Sequence, residues 1–194
     1  MSKRPASQDV VSALGGASSL RRRLAPASWK KTLFVSIRCH YQGPVRVVIQ
    51  RVSQASVMIA GAVKAAIQQG LLVLVAVEES DTAEDMEWLS GKIVRLRIFN
   101  DEQGLMNRSV QETGGGILLV SQFTLFAGAR KGNRPSFSRS ARPEAAVPLY
   151  EQFIRQLTED LGRSIQTGEF GADMKISLTN DGPVTIMIDS KSRE

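Results

Sequence analysis

Histidine and cysteine are nearly absent. The 194-residue chain holds one of each, His40 and Cys39, and both fall within the first 44 residues. From residue 45 onward a single chain therefore has no His-based triad, no thiol nucleophile, no Cys/His zinc site and no disulfide framework. No metal and no cofactor is expected. Long hydrophobic runs are missing too: the longest, Leu71 to Val77, is far short of the roughly 20 residues of a membrane span, and nothing has the pattern of a signal peptide. A soluble protein with no membrane partner is the expectation. The formal charge of +6 is unevenly spread. Residues 1–44 carry eight Lys or Arg against Asp9, whereas residues 45–194 carry 17 basic and 18 acidic side chains. The later part thus lacks the positive surplus of a broad nucleic-acid surface.

Residues 1–31 mix Ser, Ala, Gly and Pro with Arg21-Arg22-Arg23 and Lys30-Lys31 and show no apolar periodicity, so they read as disordered. A basic, Ser-rich, acid-poor start is compatible with organellar targeting, and equally with a solvated tail or a misassigned start; cytoplasmic residence is the default. Leu33 to Ile37 is a short apolar patch, and Gly43-Pro44 punctuates the chain before a strong pattern begins. The reading is an extension over 1–44 and one domain over 45–194, a length that suits a single core.

Val45, Val47, Val48, Ile49 and Val52 predict a partly buried strand, and Ser56–Ile59 with Ala62–Ile67 predict a hairpin turning at Ala60-Gly61. The unbroken run Leu71–Val77 predicts a strand buried on both faces. Asp81 and Glu84 have capping-box spacing ahead of Met86, Leu89 and Ile93, which recur at helical steps. Leu96, Ile98 and Phe99 predict a short strand, and Ile117–Val120 a central strand running on toward Phe126. Pro143 opens a second helix with an apolar stripe through Tyr150, Phe153 and Leu157, and Gly162 caps it. Met174–Leu178 and Val184–Ile188 alternate on either side of Asn180-Asp181-Gly182-Pro183, which reads as two strands and a turn. The fold class is α/β: one domain with a mainly antiparallel or mixed, barrel-like sheet and two main helices, not a doubly wound dinucleotide fold.

With no His or Cys, chemistry falls to hydroxyls, amides, carboxylates, cations and the backbone. Ser121, Gln122 and Thr124 stand at the end of a buried strand, where a rigid scaffold can aim polar groups, although ordinary strand hydroxyls explain them as well. Gly182-Pro183 reads equally as a plain turn.

Six ordered segments carry a resemblance: Val47–Val52, Gly70–Val75, Ser121-Gln122-Phe123-Thr124-Leu125, Lys131–Phe137, Phe170–Met174 and Asn180–Thr185. Together they resemble the D-aminoacyl-tRNA deacylases over about Arg46 to Ser190. The resemblance implies hydrolysis of the ester of D-aminoacyl-tRNA, with glycine mischarged on tRNA-Ala a further substrate in some members. It implies a homodimer whose active site lies at the subunit interface. There a cis Gly182-Pro183 reaches the partner's pocket, its carbonyls facing the substrate's α-amino group. Ser121, Gln122, Phe123 and Thr124 would line that pocket, Arg51 would orient the Gly-Pro loop, and Met174 would touch the pocket wall.

An aminoacyl ester is already activated, and the terminal ribose carries a hydroxyl beside it, so the enzyme need mainly position and stabilise. Backbone N–H groups near Phe123 and Thr124 are the expected oxyanion hole. Thr124 as a covalent nucleophile is the weaker reading, since no histidine base exists in the domain. Five cations, Arg130, Lys131, Arg134, Arg139 and Arg142, follow the pocket strand without an acid. Of these, Arg130, Lys131 and Arg134, with Phe137 as a stacking platform, are expected to meet the acceptor end of the tRNA. A noncatalytic acceptor-end binding module and a hydrolase of other small acyl esters or amides are the competing functions.

Overall fold

The computed structural model describes residues 45–130 and 132–192. Expectations for residues 1–44, and for Lys131, lie outside the described residues.

One long strand organises the sheet. β1 (Arg46–Ile59) pairs antiparallel along one edge with β8 (Met174–Asp189). Along the other edge its first half pairs with β3 (Gly70–Ala76) and its second half with β2 (Ala62–Ile67). The expected hairpin is the β1–β2 turn, with Ala60 and Gly61 both at positive φ, a tight connection that keeps the strand twist. From β3 the sheet continues in parallel to β6 (Gly116–Ser121) and β7 (Gln166–Thr167). The sheet is therefore mixed, and it curls into a nearly closed barrel-like form.

β3 shows why a continuous apolar run was needed. Leu71, Val73 and Val75 face the core shared with α1 (Ala83–Arg95) and α3 (Pro143–Leu161), while Leu72 faces a second cluster inside the curl with Val52, Val57, Ile67, Leu118 and Val120. Both faces are dry, so strand alternation is lost. Helix α3 begins at Pro143, ends at Gly162, and buries Tyr150, Phe153, Leu157 and Leu161 as its stripe requires. Shorter pieces are β4 (Phe99–Asn100) paired with β5 (Met106–Arg108), α2 (Val110–Thr113), and a 3-10 turn at Phe123–Phe126. No described helix is long and apolar enough to cross a membrane.

Three expectations change. The capping box of α1 is formed by Thr82 and Asp85, one residue later than Asp81 and Glu84. The central strand stops at Ser121 and gives way to the 3-10 turn instead of running to Phe126. The Met174–Leu178 and Val184–Ile188 segments are two halves of β8, both continuing in the same direction along β1.

Asp81 leaves the helix cap because its Oδ2 accepts the Glu78 N–H at 2.7 Å in the turn between β3 and α1. Burial pushes its carboxyl up to about 7, with Asp85 and Glu78 adding to the rise against the opposing Glu78 N–H and Lys191. Asp85 goes the other way: burial acts to raise it, but Lys191 Nζ at 2.7 Å and the Thr82 N–H and hydroxyl together hold it below the ordinary carboxylate value. For Asp81 the folded pKa exceeds the unfolded one, so the folded state binds the extra proton. Its contribution to stability is then lost as pH rises from about 4 through about 7. Asp81→Asn keeps an oxygen acceptor without the titration, and should flatten the fall in melting temperature across that window. An unchanged pH profile in the variant would contradict this assignment.

Candidate functional site

Gln122 ends the β6 strand geometry: its N–H donates to Val75 O at 2.7 Å, and its backbone then turns at φ −145° and ψ 74° into the 3-10 segment. Inside that turn Leu125 N–H donates to Gln122 O and the Ala127 N–H to Thr124 O. A helical N-terminus leaves its first donors without internal acceptors. Here those are the N–H groups of Phe123 and Thr124, which have no hydrogen-bond partner among the described residues. Phe123 lines a cavity of about 80 Å³ together with Val75, Val77, Ser121, Gln122 and Tyr150 among others, and Thr124 follows it in the chain. The Tyr150 hydroxyl donates to Leu119 O at 3.1 Å, and burial pushes it up to about 12, so it is a fixed neutral donor. The Thr124 hydroxyl accepts from Gln122 Nε2 at 2.5 Å.

The cation-rich loop lies beside this turn. Gly128 and Ser136 pair through reciprocal backbone hydrogen bonds of 2.7 and 2.9 Å and so close the loop that carries Arg130 and Arg134. Both arginines are exposed, and Phe137 meets Phe123 edge-on with ring centroids 5.3 Å apart. Met174, at the start of β8, packs with Val120 in the inner cluster, its Sδ only 2.6 Å from where a Cβ on Gly168 would stand.

Arg51 and Gly182-Pro183 form a separate centre. Gln50 pairs with Thr185 and Val52 with Asn180, so two steps along β1 correspond to five along β8. The extra residues swell out opposite Arg51 as an exaggerated bulge. The Arg51 guanidinium fills the gap, donating to Asp181 O at 3.0 Å and Ile98 O at 2.5 Å, and lies 3.2 Å from the Asp181 carboxylate. It is 6% exposed. The Gly182-Pro183 bond is cis, Gly182 has φ +126°, and both residues are exposed. Added at Gly182, a Cβ would lie 2.8 Å from Arg51 Nη2, so the loop and the arginine fit each other only with glycine there.

Within one chain these two centres do not meet. Arg51 pairs with Leu71 near the beginning of β3, whereas Ser121 pairs with Val75 near its end. Four strand residues separate those positions, about 13 Å at strand spacing. A larger open groove of about 850 Å³ between α1 and α3 contains none of the expected residues and is lined chiefly by surface charges such as Glu84, Lys92, Arg95 and Asp160. What reading the sequence missed is the 3-10 turn that frees this main-chain pair, together with Arg46 and Glu78, which contact the turn or its neighbours; Arg46 Nη1 donates to Leu125 O at 2.9 Å.

Comparison with known proteins adds the following. The profile of the D-Tyr-tRNA(Tyr) deacylase family matches residues 48–189. The chain is 59% identical over 150 residues to a D-aminoacyl-tRNA deacylase of Flavobacterium johnsoniae, covering 77% of this chain and all of that one. It is equally 59% identical over 150 residues to the D-aminoacyl-tRNA deacylase of Bacteroides fragilis, with the same coverage. A solved structure named c-Myc DNA Unwinding Element Binding Protein superposes with a TM-score of 0.68 at 40% identity, covering 74% of this chain and 97% of that one.

The Arg51 geometry makes a direct prediction. Arg51→Ala leaves the Asp181 and Ile98 carbonyls without their buried donor, so the variant should lose about 1–3 kcal/mol in urea unfolding. Amide exchange should accelerate at Val184, whose N–H is held by Asn180 Oδ1 at 3.1 Å in the same swelling. Unchanged exchange there would mean that the loop keeps its shape without the arginine.

Proposed function

The chain belongs to the D-Tyr-tRNA(Tyr) deacylase family, and on that premise we propose that it hydrolyses the ester bond of D-aminoacyl-tRNA at the start of the Phe123–Phe126 turn, releasing free D-amino acid and tRNA. The observation that carries this reading is the pair of unpartnered N–H groups of Phe123 and Thr124 beside a small cleft. When water adds to the ester carbonyl, negative charge collects on its oxygen, and two donors already in position stabilise it without reorganising. The ribose hydroxyl next to the ester assists the water, which suits a domain that offers no histidine or cysteine. The Thr124 hydroxyl is bonded to an amide and to no basic group among the described residues, a poor setting for a nucleophile.

The complete site belongs to a homodimer. A cavity of about 80 Å³ is well below the roughly 300 Å³ at which ligand pockets begin, so one chain supplies only part of the enclosure. The Gly182-Pro183 loop of the same chain is too far along β3 to close it, whereas a two-fold axis would bring each loop to the other chain's turn. β8 supports such an axis: it pairs only with β1 among the described residues, and it exposes Leu178 and Met187. A long edge strand of this kind invites a partner. The carbonyls of Gly182 and Pro183 of the partner subunit then hold the α-amino group. A D side chain points away, an L side chain meets main chain whatever its identity, and glycine passes. Arg130, Arg134 and Phe137 take the single-stranded acceptor end, with Phe137 stacking on the terminal base.

One solved relative is named for binding a DNA unwinding element, which favours a second reading of this chain as a nucleic-acid-end binder without turnover. Product formation separates the two. Ribose-terminated D-aminoacyl-tRNA should release its amino acid, the 2′-deoxy counterpart should be bound but cleaved far more slowly, and Thr124→Ala should be mild. An acyl group trapped on Thr124, with the deoxy substrate cleaved normally, would overturn the substrate-assisted mechanism; binding without release in either case would favour the second reading.

A further inference from the structure

Arg139 belongs by sequence to the cation-rich loop, and its half-exposed side chain lies against the 3-10 turn. Its Nη2 lies 2.5 Å from Glu78 Oε1, and Glu78 is largely buried two residues beyond β3. Its guanidinium carbon stands 5.2 Å from the centroid of Phe126, the fully buried last residue of the 3-10 turn. Arg46 lies 5.0 Å from the same ring while donating to Leu125 O. Ser140, beside Arg139, donates its hydroxyl to Phe123 O at 2.8 Å, and the Glu78 and Ser140 backbones form a bridge. The turn is thus held at its first, third and fourth residues by Ser140, Arg46 and Arg139.

We propose that Arg139, held by Glu78, is a positioning residue for the Phe123–Phe126 turn and sets the aim of its free N–H groups, and is not a tRNA phosphate contact. The proposal rests on the reading of that turn as the reaction site. Its physical basis is that a short 3-10 segment has few internal hydrogen bonds and poor hydrogen-bond geometry, so its direction is set by what packs against it. A planar guanidinium can hold a carboxylate and lie against a ring at once, which an ammonium cannot. Glu78, nearly buried, in turn has its carboxylate paired by the arginine.

The two roles differ in steady-state kinetics across a salt series. Arg139→Gln should lower kcat about 10- to 100-fold, as small misplacements of reacting groups do, with KM within about twofold and its salt dependence unchanged. Glu78→Gln should produce the same defect, the double variant should be no worse than either single one, and Arg139→Lys should recover part of kcat by restoring the ion pair. Ser140→Ala, which removes one surface hydroxyl and leaves folding undisturbed, should also lower kcat and not KM. Melting curves identify any variant that is merely unfolded, and Ser140→Ala then carries the test. A raised KM with a salt slope reduced by about 1 in Arg139→Gln, and no defect in Glu78→Gln, would assign Arg139 to a phosphate and overturn the proposal. Phe123→Pro deletes one of the two N–H groups at a position where a helix start tolerates proline. If it abolishes turnover while Arg139→Gln, Glu78→Gln and Ser140→Ala keep the wild-type kcat, the positioning role fails and the site stands. If Phe123→Pro itself turns over normally, both fail.

Discussion

A buried guanidinium opposite an interrupted strand sets the shape of the molecule's most unusual feature. Arg51 stands on β1 where β8 takes five residues to match two, and its donors reach the Asp181 carbonyl inside that detour and the Ile98 carbonyl just before β4. A buried cation without such acceptors would be strongly destabilising, and buried carbonyls without the cation would be too. The arginine and the swelling therefore require each other. Gly182 follows from the same constraint, because a side chain there would press on Nη2 and would have to adopt φ +126°.

The rest of the site depends on how β3 is laid out. Its early residues lie beside Arg51, and its last ones beside Ser121 and the 3-10 turn. The strand holds the loop that would select chirality and the donors that would stabilise the reaction rigidly apart. The two-chain site proposed above would bring them together across a two-fold axis. It also explains how catalysis can proceed in a domain without imidazole or thiol: the groups assigned to the chemistry are main-chain N–H and C=O, which folding positions and pH does not titrate.

Much of the fold was legible because local signals and burial agreed. The seven-residue apolar run became the doubly buried β3, and Pro143 and Gly162 bounded α3 as read. The cap of α1 was misplaced by one residue because Asp81–Glu84 and Thr82–Asp85 have the same spacing, and only the turn decided that Asp81 would bond Glu78 instead. Asn180-Asp181-Gly182-Pro183 has turn composition, but a turn between two strands and a detour within one strand look alike until β1 is laid beside them. The donors of Phe123 and Thr124 were expected only through the family resemblance, because every non-proline residue carries an N–H and the 3-10 start that leaves these two free gave no local signal of its own. Resemblance to a family drew attention to that segment where composition did not. Arg139 was grouped with its loop neighbours because its partner Glu78 is remote in sequence.

The central claim is that each site is built from two chains, and mixed dimers test it most directly. One chain would carry Phe123→Pro, damaging the turn, and the other Gly182→Ala, damaging the loop, with each homodimer inactive. Purified heterodimers of the two should recover about half the wild-type dimer's turnover of D-aminoacyl-tRNA, because one of their two sites then combines an intact turn with an intact loop. Heterodimers as inactive as either parent would mean that turn and loop serve the same chain, and would contradict the account.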